Sequence, residues 1–121
     1  MSKKILTVDD SKTMRQMLEV ALTAAGFEVV QAGDGIEGLE TLETTTPDVI
    51  VTDINMPRMD GFGFIEGVRT HERHRAIPIL VLTTESDAEK KERARRAGAT
   101  GWIVKPFDPA KLVSAINRVS A

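Results

Sequence analysis

Short apolar runs alternate with amphipathic segments along this chain. The apolar runs are rich in Val and Ile, and each has the length of a single strand. They comprise Ile5 to Val8, Phe27 to Val30, Val49 to Val51, Ile77 to Leu82 and Trp102 to Val104. Near-continuous apolar strands are typical of a parallel sheet that is covered on both faces. The pattern therefore predicts five buried, parallel strands.

The segment from Lys12 to Ala25 has the period of an amphipathic helix. Its apolar side chains recur at three- and four-residue spacings, which would place them in one stripe along the helix. Met14 and Met17 belong to this stripe, so we expect both to fill the core. Gly26 follows the last apolar residue and predicts the end of the helix.

Capping signals predict where other helices begin. Asp34-Gly-Ile-Glu37 and Ser86-Asp-Ala-Glu89 have capping-box spacing, which predicts helix starts near residues 35 and 87. Asp108-Pro109 combines a cap with a first-turn proline and predicts a last helix over 109–119. Five strands alternating with helices indicate an α/β three-layer domain with right-handed crossovers and no linker.

Polar side chains follow four of the predicted strands. The carboxyl ends of parallel strands meet at one sheet edge, where such folds bind ligands. That edge would collect Asp9 and Asp10, Asp53 and Asn55, Thr83 and Glu85, and Lys105. Clustered carboxylates repel one another unless a cation neutralises them, and oxygen ligands with open positions are typical of a Mg²⁺ site. At such a site an aspartate can attack phosphorus, while Lys105 and Thr83 hold phosphoryl oxygens.

The ordered motifs of the chain resemble those of bacterial response-regulator receiver domains, especially single-domain, CheY-like chemotaxis regulators. The resemblance covers the whole chain and rests on Val8-Asp9-Asp10-Ser11, Asp53-Ile54-Asn55-Met56-Pro57, Met59-Asp60-Gly61, Ala97-Gly98-Ala99 and Lys105-Pro106-Phe107. It implies a flavodoxin-like (βα)5 fold with strand order 2-1-3-4-5. It also implies one receiver domain over residues 1–121.

The resemblance implies a role for each acidic-site residue. Asp53 would be the phosphoacceptor and a metal ligand, and Asp10 would bind Mg²⁺ directly. Asp9 would act largely through a metal-bound water. Asn55 matches the position whose backbone carbonyl ligates the metal.

Further residues are implied to contact or tune the phosphorylated state. Lys105 would contact the phosphoryl group, aimed inward by a cis peptide before Pro106, and the Thr83 hydroxyl would move toward that group. Trp102 stands where the family usually has Tyr, Phe or His, and its larger ring is expected to turn inward only in part. Glu85, together with the residue two after the acceptor, would flank the path of the hydrolytic water. We expect a phosphorylated state that lasts seconds to a few minutes.

The implied function is a switch rather than an enzyme. A CheA-like histidine kinase would donate the phosphoryl group, and an output protein such as a flagellar motor switch component would read the change. Alternatives are a phosphate sink for a shared kinase and a stand-alone receiver in another phosphorelay. A haloacid-dehalogenase-like phosphatase is disfavoured because Asn55 replaces its second Asp. A flavin carrier is disfavoured because Asp9-Asp10 replaces its phosphate loop.

Composition narrows the classes of partner and compartment. With 16 basic and 18 acidic residues, the formal net charge of −2 gives no reason to expect nucleic acid or a membrane as partner. The absence of cysteine excludes disulfides, thiolate metal sites and a Cys nucleophile. No apolar run has the length of a signal or a membrane span, so we expect a cytoplasmic monomer.

Two polar segments are expected to be solvated. The fourth helix carries a basic face and has few apolar residues to bury, so its packing should be light; the apolar ones are Ala88, Ala94 and Ala97. Light packing near a site is typical of a moving element. His71 and His74 lie in a charged stretch after the third helix, which predicts a solvated loop.

Overall fold

Strands and helices alternate throughout residues 2–121, which the computed structural model describes. The elements are β1 Lys4–Val8, α1 Lys12–Ala24, β2 Glu28–Ala32, α2 Gly35–Leu42, β3 Val49–Thr52, α3 Gly61–Thr70, β4 Ile79–Thr83, α4 Ala88–Ala97, β5 Gly101–Val104 and α5 Pro109–Val119. All strand pairs are parallel, and the sheet order is β2-β1-β3-β4-β5. The predicted flavodoxin-like fold and strand order are therefore confirmed.

The sheet is covered on both faces, as its apolar strands predict. Residues of α1 and α5 pack on one face, with the buried side chains Leu18, Leu22, Leu112 and Ile116. Residues of α2, α3 and α4 pack on the other, with Leu42, Phe64, Ile65, Val68 and Ala94. Every residue of β3 and β4 is buried. The two layers of helices leave the carboxyl edge of the sheet to the loops that follow the strands.

Side-chain caps fix where the helices begin. The predicted helix starts near residues 35 and 87 and the last helix over 109–119 are confirmed. For α4 the capping side chain is Asp87 rather than the preceding serine. Ser11 caps α1 by accepting a hydrogen bond from the Met14 amide. The carboxylate of Asp10 is therefore not used as a helix cap.

Two expectations about burial are wrong. Met17 was expected in the core, but it is 50% exposed, because the inward face of α1 is formed by Leu18 and Leu22 with Met14 beside them. His74 was expected in a solvated loop, but it is only 1% exposed. Backbone hydrogen bonds from His74 N to His71 O and from Ile77 N to His74 O form the turn that carries it.

The packing of α4 is light, as predicted from its composition. Of residues 88–97, only Ala94 is buried. The helix ends at Gly98, whose φ of +117° is in the left-handed region that favours glycine. The Arg69 guanidinium donates to the Gly98 carbonyl at 3.0 and 2.8 Å. The end of α4 is thus held firmly, whereas its first turn has little buried surface.

No helix within residues 2–121 combines the length and the apolar character that a bilayer crossing would need.

Candidate functional site

Three carboxylates meet at the carboxyl edge of the sheet. Asp9, Asp10 and Asp53 each offer an oxygen within 4.8 Å of the others. The parallel register explains this meeting, because Val8 of β1 lies opposite Thr52 of β3, and each is followed directly by a site aspartate. The Asp53 amide also donates to the Val8 carbonyl at 2.9 Å. The sheet itself therefore brings the three acidic residues together.

Lys105 reaches this cluster from the loop after β5. Its Nζ lies 2.9 Å from Asp9 Oδ2 and 2.9 Å from Asp53 Oδ2, and its side chain is only 9% exposed. Burial alone lowers the pKa of Lys105, but the hydrogen bonds and charges of the two aspartates outweigh it and raise the pKa overall. The amine is therefore held charged. The peptide between Lys105 and Pro106 is cis, as the motif implies.

The hydrogen bonds of the three carboxylates differ. Asp9 accepts from the Ser11 amide with Oδ1 and from Lys105 with Oδ2. Asp53 accepts from the Ile54 amide at 2.6 Å and from Lys105. Asp10 is exposed, and its carboxylate has no hydrogen bond within residues 2–121.

Three carboxylates and one ammonium give the site a formal charge of −2, which a single divalent cation would balance. The cluster can thus hold a metal ion.

The remaining predicted residues gather around Glu85 rather than around the aspartates. Asn55 Nδ2 donates to Glu85 Oε1 at 3.1 Å, and Trp102 Nε1 donates to the Glu85 carbonyl at 3.2 Å. Thr83 is fully buried, and its hydroxyl oxygen accepts from the Glu85 amide at 3.4 Å. Among residues 2–121, that hydroxyl has no hydrogen bond to the aspartates or to Lys105. Trp102 is partly buried and packs against the core.

Lys90 is a residue near the site that the sequence did not indicate. Its Nζ lies 3.0 Å from Glu85 Oε1, and the hydrogen bonds from Lys90 and then Asn55 lower the pKa of Glu85. Lys90 lies in the first turn of α4, where the helix dipole disfavours a cation. The ion pair with Glu85 offsets that unfavourable position, but it became visible only in the tertiary structure.

Two further residues shape the backbone of the site. The Arg15 guanidinium donates to the Asp9 carbonyl at 2.6 Å. Gly61 packs so closely that a Cβ there would lie 2.3 Å from the Asp53 carbonyl oxygen. The Met59-Asp60-Gly61 motif resembles that of the family, but the contact of Gly61 with Asp53 depends on the tertiary structure.

Comparison with known proteins identifies the family. The family described as "Response regulator receiver domain" matches residues 5–117. The chain belongs to this family. It is 40% identical to chemotaxis protein CheY1 of Helicobacter pylori, over 96% of this chain and 95% of that protein. It is therefore a receiver domain of a CheY-like response regulator.

Solved structures agree with this assignment. The chemotaxis response regulator CheY4 of Vibrio cholerae is 46% identical, with a TM-score of 0.92 over 98% of this chain and 99% of that one. The receiver domain of sensor histidine kinase PA1611 from Pseudomonas aeruginosa is 28% identical, with a TM-score of 0.92 over 99% and 98%. That structure is described as having a magnesium ion coordinated in the active site cleft.

The relatives also differ in length and kind. They include probable transcriptional regulators, and this chain spans less than half of the ycf27 proteins of Porphyridium aerugineum, Cyanophora paradoxa and Guillardia theta. By contrast, it spans nearly all of the chemotaxis proteins. A CheY-like receiver implies a histidine kinase as phosphodonor and a downstream target.

Proposed function

We propose that Asp53 accepts the phosphoryl group in this receiver and that Mg²⁺ binds beside it. The observation that carries the proposal is the position of Lys105 Nζ, 2.9 Å from both Asp9 and Asp53 in a cluster of three carboxylates. A buried ammonium beside a strand-end carboxylate can neutralise an incoming phosphoryl oxygen. The family match over residues 5–117 supports one receiver domain for the chain.

The donor set suits Mg²⁺. All available ligand atoms are oxygens, which a hard cation prefers, and the site's charge of −2 matches one divalent ion. We assign Asp10 and Asp53 as direct ligands, Asp9 as a ligand through water, and Asn55 as a ligand through its backbone carbonyl. When bound, the ion would reduce repulsion between the carboxylates and an anionic phosphoryl group.

The protein's own residues can perform the transfer. An oxygen of the Asp53 carboxylate attacks phosphorus, and the phosphorus–nitrogen bond of the donor phosphohistidine breaks. The electron pair stays on the imidazole nitrogen, which takes a proton from water. The Ile54 amide, 2.6 Å from Asp53 Oδ1, holds the carboxylate in position. Lys105 then pairs with a phosphoryl oxygen, and the Thr83 hydroxyl moves to donate to another.

We further propose that phosphorylation switches a surface read by an output protein, rather than serving turnover of a small substrate. Near full-length similarity to chemotaxis proteins supports an output in flagellar motor control. A phosphate sink for a shared kinase is the second candidate, because a receiver domain can also drain phosphoryl groups without binding an output protein. A pull-down with the beryllofluoride-activated protein separates them. Recovery of a motor switch component supports the first, and recovery of the kinase alone supports the second.

Substitution of the acceptor tests the proposal. We expect D53N to lose Mg²⁺-dependent labelling by acetyl phosphate, because an amide is a poor nucleophile, while its fold is unchanged. D48N makes the same chemical change directly before β3, whereas Asp53 lies directly after this strand, and D48N should label normally. D10A should require much more Mg²⁺ for labelling. Stoichiometric labelling of D53N would contradict the proposal, as would efficient turnover of small phosphomonoesters by the wild-type protein.

A further inference from the structure

A side-chain bridge joins the two loops that flank the acceptor. Asn55 lies two residues after Asp53 in the β3–α3 loop, and Glu85 lies two residues after Thr83 in the β4–α4 loop. Asn55 Nδ2 and Glu85 Oε1 are 3.1 Å apart. Because β3 and β4 are neighbours in the sheet, this hydrogen bond spans the gap between the loops beside the phosphorylation site.

The bridge is anchored to α4 by Lys90. Lys90 Nζ lies 3.0 Å from the same Glu85 oxygen that Asn55 contacts. A lysine in a first helical turn is disfavoured by the helix dipole, so its ion pair with Glu85 compensates for an otherwise unfavourable position. Glu85 is further fixed by its backbone, since its carbonyl accepts from Trp102 and its amide donates to Thr83. The carboxylate is the part of Glu85 whose position depends on Lys90.

We infer that Lys90 is a positioning residue that holds Glu85 in the bridge with Asn55 and thereby slows hydrolysis at Asp53. The inference rests on the proposed role of Asp53 as phosphoacceptor. In hydrolysis a water oxygen attacks phosphorus and the bond between phosphorus and the Asp53 oxygen breaks. The phosphate leaves as dihydrogen phosphate with both protons of the water, and the carboxylate is restored. A closed bridge hinders the approach of that water.

The size of the effect follows from the exposure of the ion pair. The Lys90 and Glu85 side chains are 41% and 27% exposed, so their attraction is weakened by solvent. The ion pair therefore holds the Glu85 carboxylate only weakly. Loss of Lys90 should shorten the lifetime of the phosphorylated state by about two- to fivefold, with little effect on stability.

The lifetime is measured after labelling with acetyl phosphate in Mg²⁺. We expect K90M to lose the phosphoryl group about two- to fivefold faster than wild type, whereas K90R, which keeps the charge, resembles wild type. K91M removes the same charge from the next position of α4 and should also resemble wild type. High salt screens exposed pairs, so the difference between wild type and K90M should shrink there.

Two controls show whether Lys90 acts through Glu85. In an E85A background, K90M should no longer change the lifetime, because no carboxylate is left to hold. In protein without Mg²⁺ or phosphate, the Asn55 side-chain amide resonances should shift in K90M but not in K91M. Equal lifetimes for wild type and K90M, or the same change in K91M, would overturn the inference alone. Failure of all of these proteins to label would overturn the proposed function as well.

Discussion

Replacement of Gly61 by alanine tests how the start of α3 positions Asp53, the proposed acceptor. A Cβ at this buried position would lie 2.3 Å from the Asp53 carbonyl oxygen and 2.8 Å from the Ile54 Cα. Both are backbone atoms, so no side-chain rotation can relieve the contact. Real Cβ atoms essentially never come within 3.0 Å of such atoms, and the gap must open by at least about 0.7 Å. The start of α3 or the Asp53 backbone must move.

Such overpacking costs about 1–3 kcal/mol when the backbone has to shift. For a domain of this size, that corresponds to a fall in the melting temperature of roughly 3–15 °C. Because the displaced carbonyl belongs to Asp53, we also expect slower labelling by acetyl phosphate. Thermal unfolding followed by circular dichroism measures the first effect, and single-turnover labelling well below the melting temperature measures the second.

Gly63 provides the matched control in the same helix. Its added Cβ would meet the Met59 Cγ at 3.2 Å, and this flexible side chain can move by a few tenths of an ångström. Alanine also favours helix over glycine by up to about 1 kcal/mol. We therefore expect G63A to be as stable as wild type or slightly more stable, and to label normally. If G61A matched G63A in both assays, the reasoning about the close approach would be refuted.

Three further outcomes are expected. K105M should bind Mg²⁺ more tightly in titration calorimetry, because the formal charge of the site becomes −3. Its labelling by acetyl phosphate should nevertheless be about a hundredfold slower, because the ammonium that pairs with a phosphoryl oxygen is lost. Burial, with the charges of His71 and Arg73, lowers the pKa of His74. Below about pH 6.5 the unfolded chain therefore takes up a proton on His74 more readily than the folded protein does. The free energy of unfolding in urea should fall below that pH in wild type and fall less in H74L. Trp102 is the only tryptophan and there is no tyrosine. Beryllofluoride with Mg²⁺ should blue-shift its emission and reduce acrylamide quenching relative to Mg²⁺ alone, whereas identical spectra would show that the switch does not involve Trp102.

Local sequence signals predicted the start of an element correctly where the signal fits only one position along the chain. Asp108-Pro109 fixed the start of α5, because a cap and a first-turn proline fit together at only one register. The edge strand β2 was less determined and runs over Glu28–Ala32 rather than from Phe27. Gly26 has a φ of +91°, and the Phe27 amide still donates to the Leu22 carbonyl of α1. Phe27 is buried in this turn, so its apolar character did not mark the strand start.

The burial of His74 could not be predicted from its neighbours. A stretch rich in charged residues is usually exposed to solvent, but a tight turn places the His74 ring against His71, with ring centroids 4.3 Å apart. Neither ring nitrogen of His74 has a hydrogen-bond partner within the described residues. Only the tertiary structure shows that His74 lines one cavity together with residues of α2 and α3, among them Leu39, Leu42, Gly67 and Val68.

The meeting of the site residues was predictable, but their fine contacts were not. Parallel strands bring their carboxyl ends together, so Asp9, Asp10 and Asp53 had to converge at one edge. The pair of Glu85 and Lys90 spans the start of a helix at a five-residue separation, which no helical periodicity flags. Their contact depends on how the β4–α4 loop turns.

Chemical trapping of the phosphorylated residue tests the central claim most directly. Borohydride reduces an acyl phosphate of aspartate to homoserine, which peptide mass spectrometry can locate. After treatment with acetyl phosphate, we expect homoserine at position 53, and only when Mg²⁺ is present. Homoserine at Asp9 or Asp10, or at position 53 to the same extent without Mg²⁺, would contradict the account.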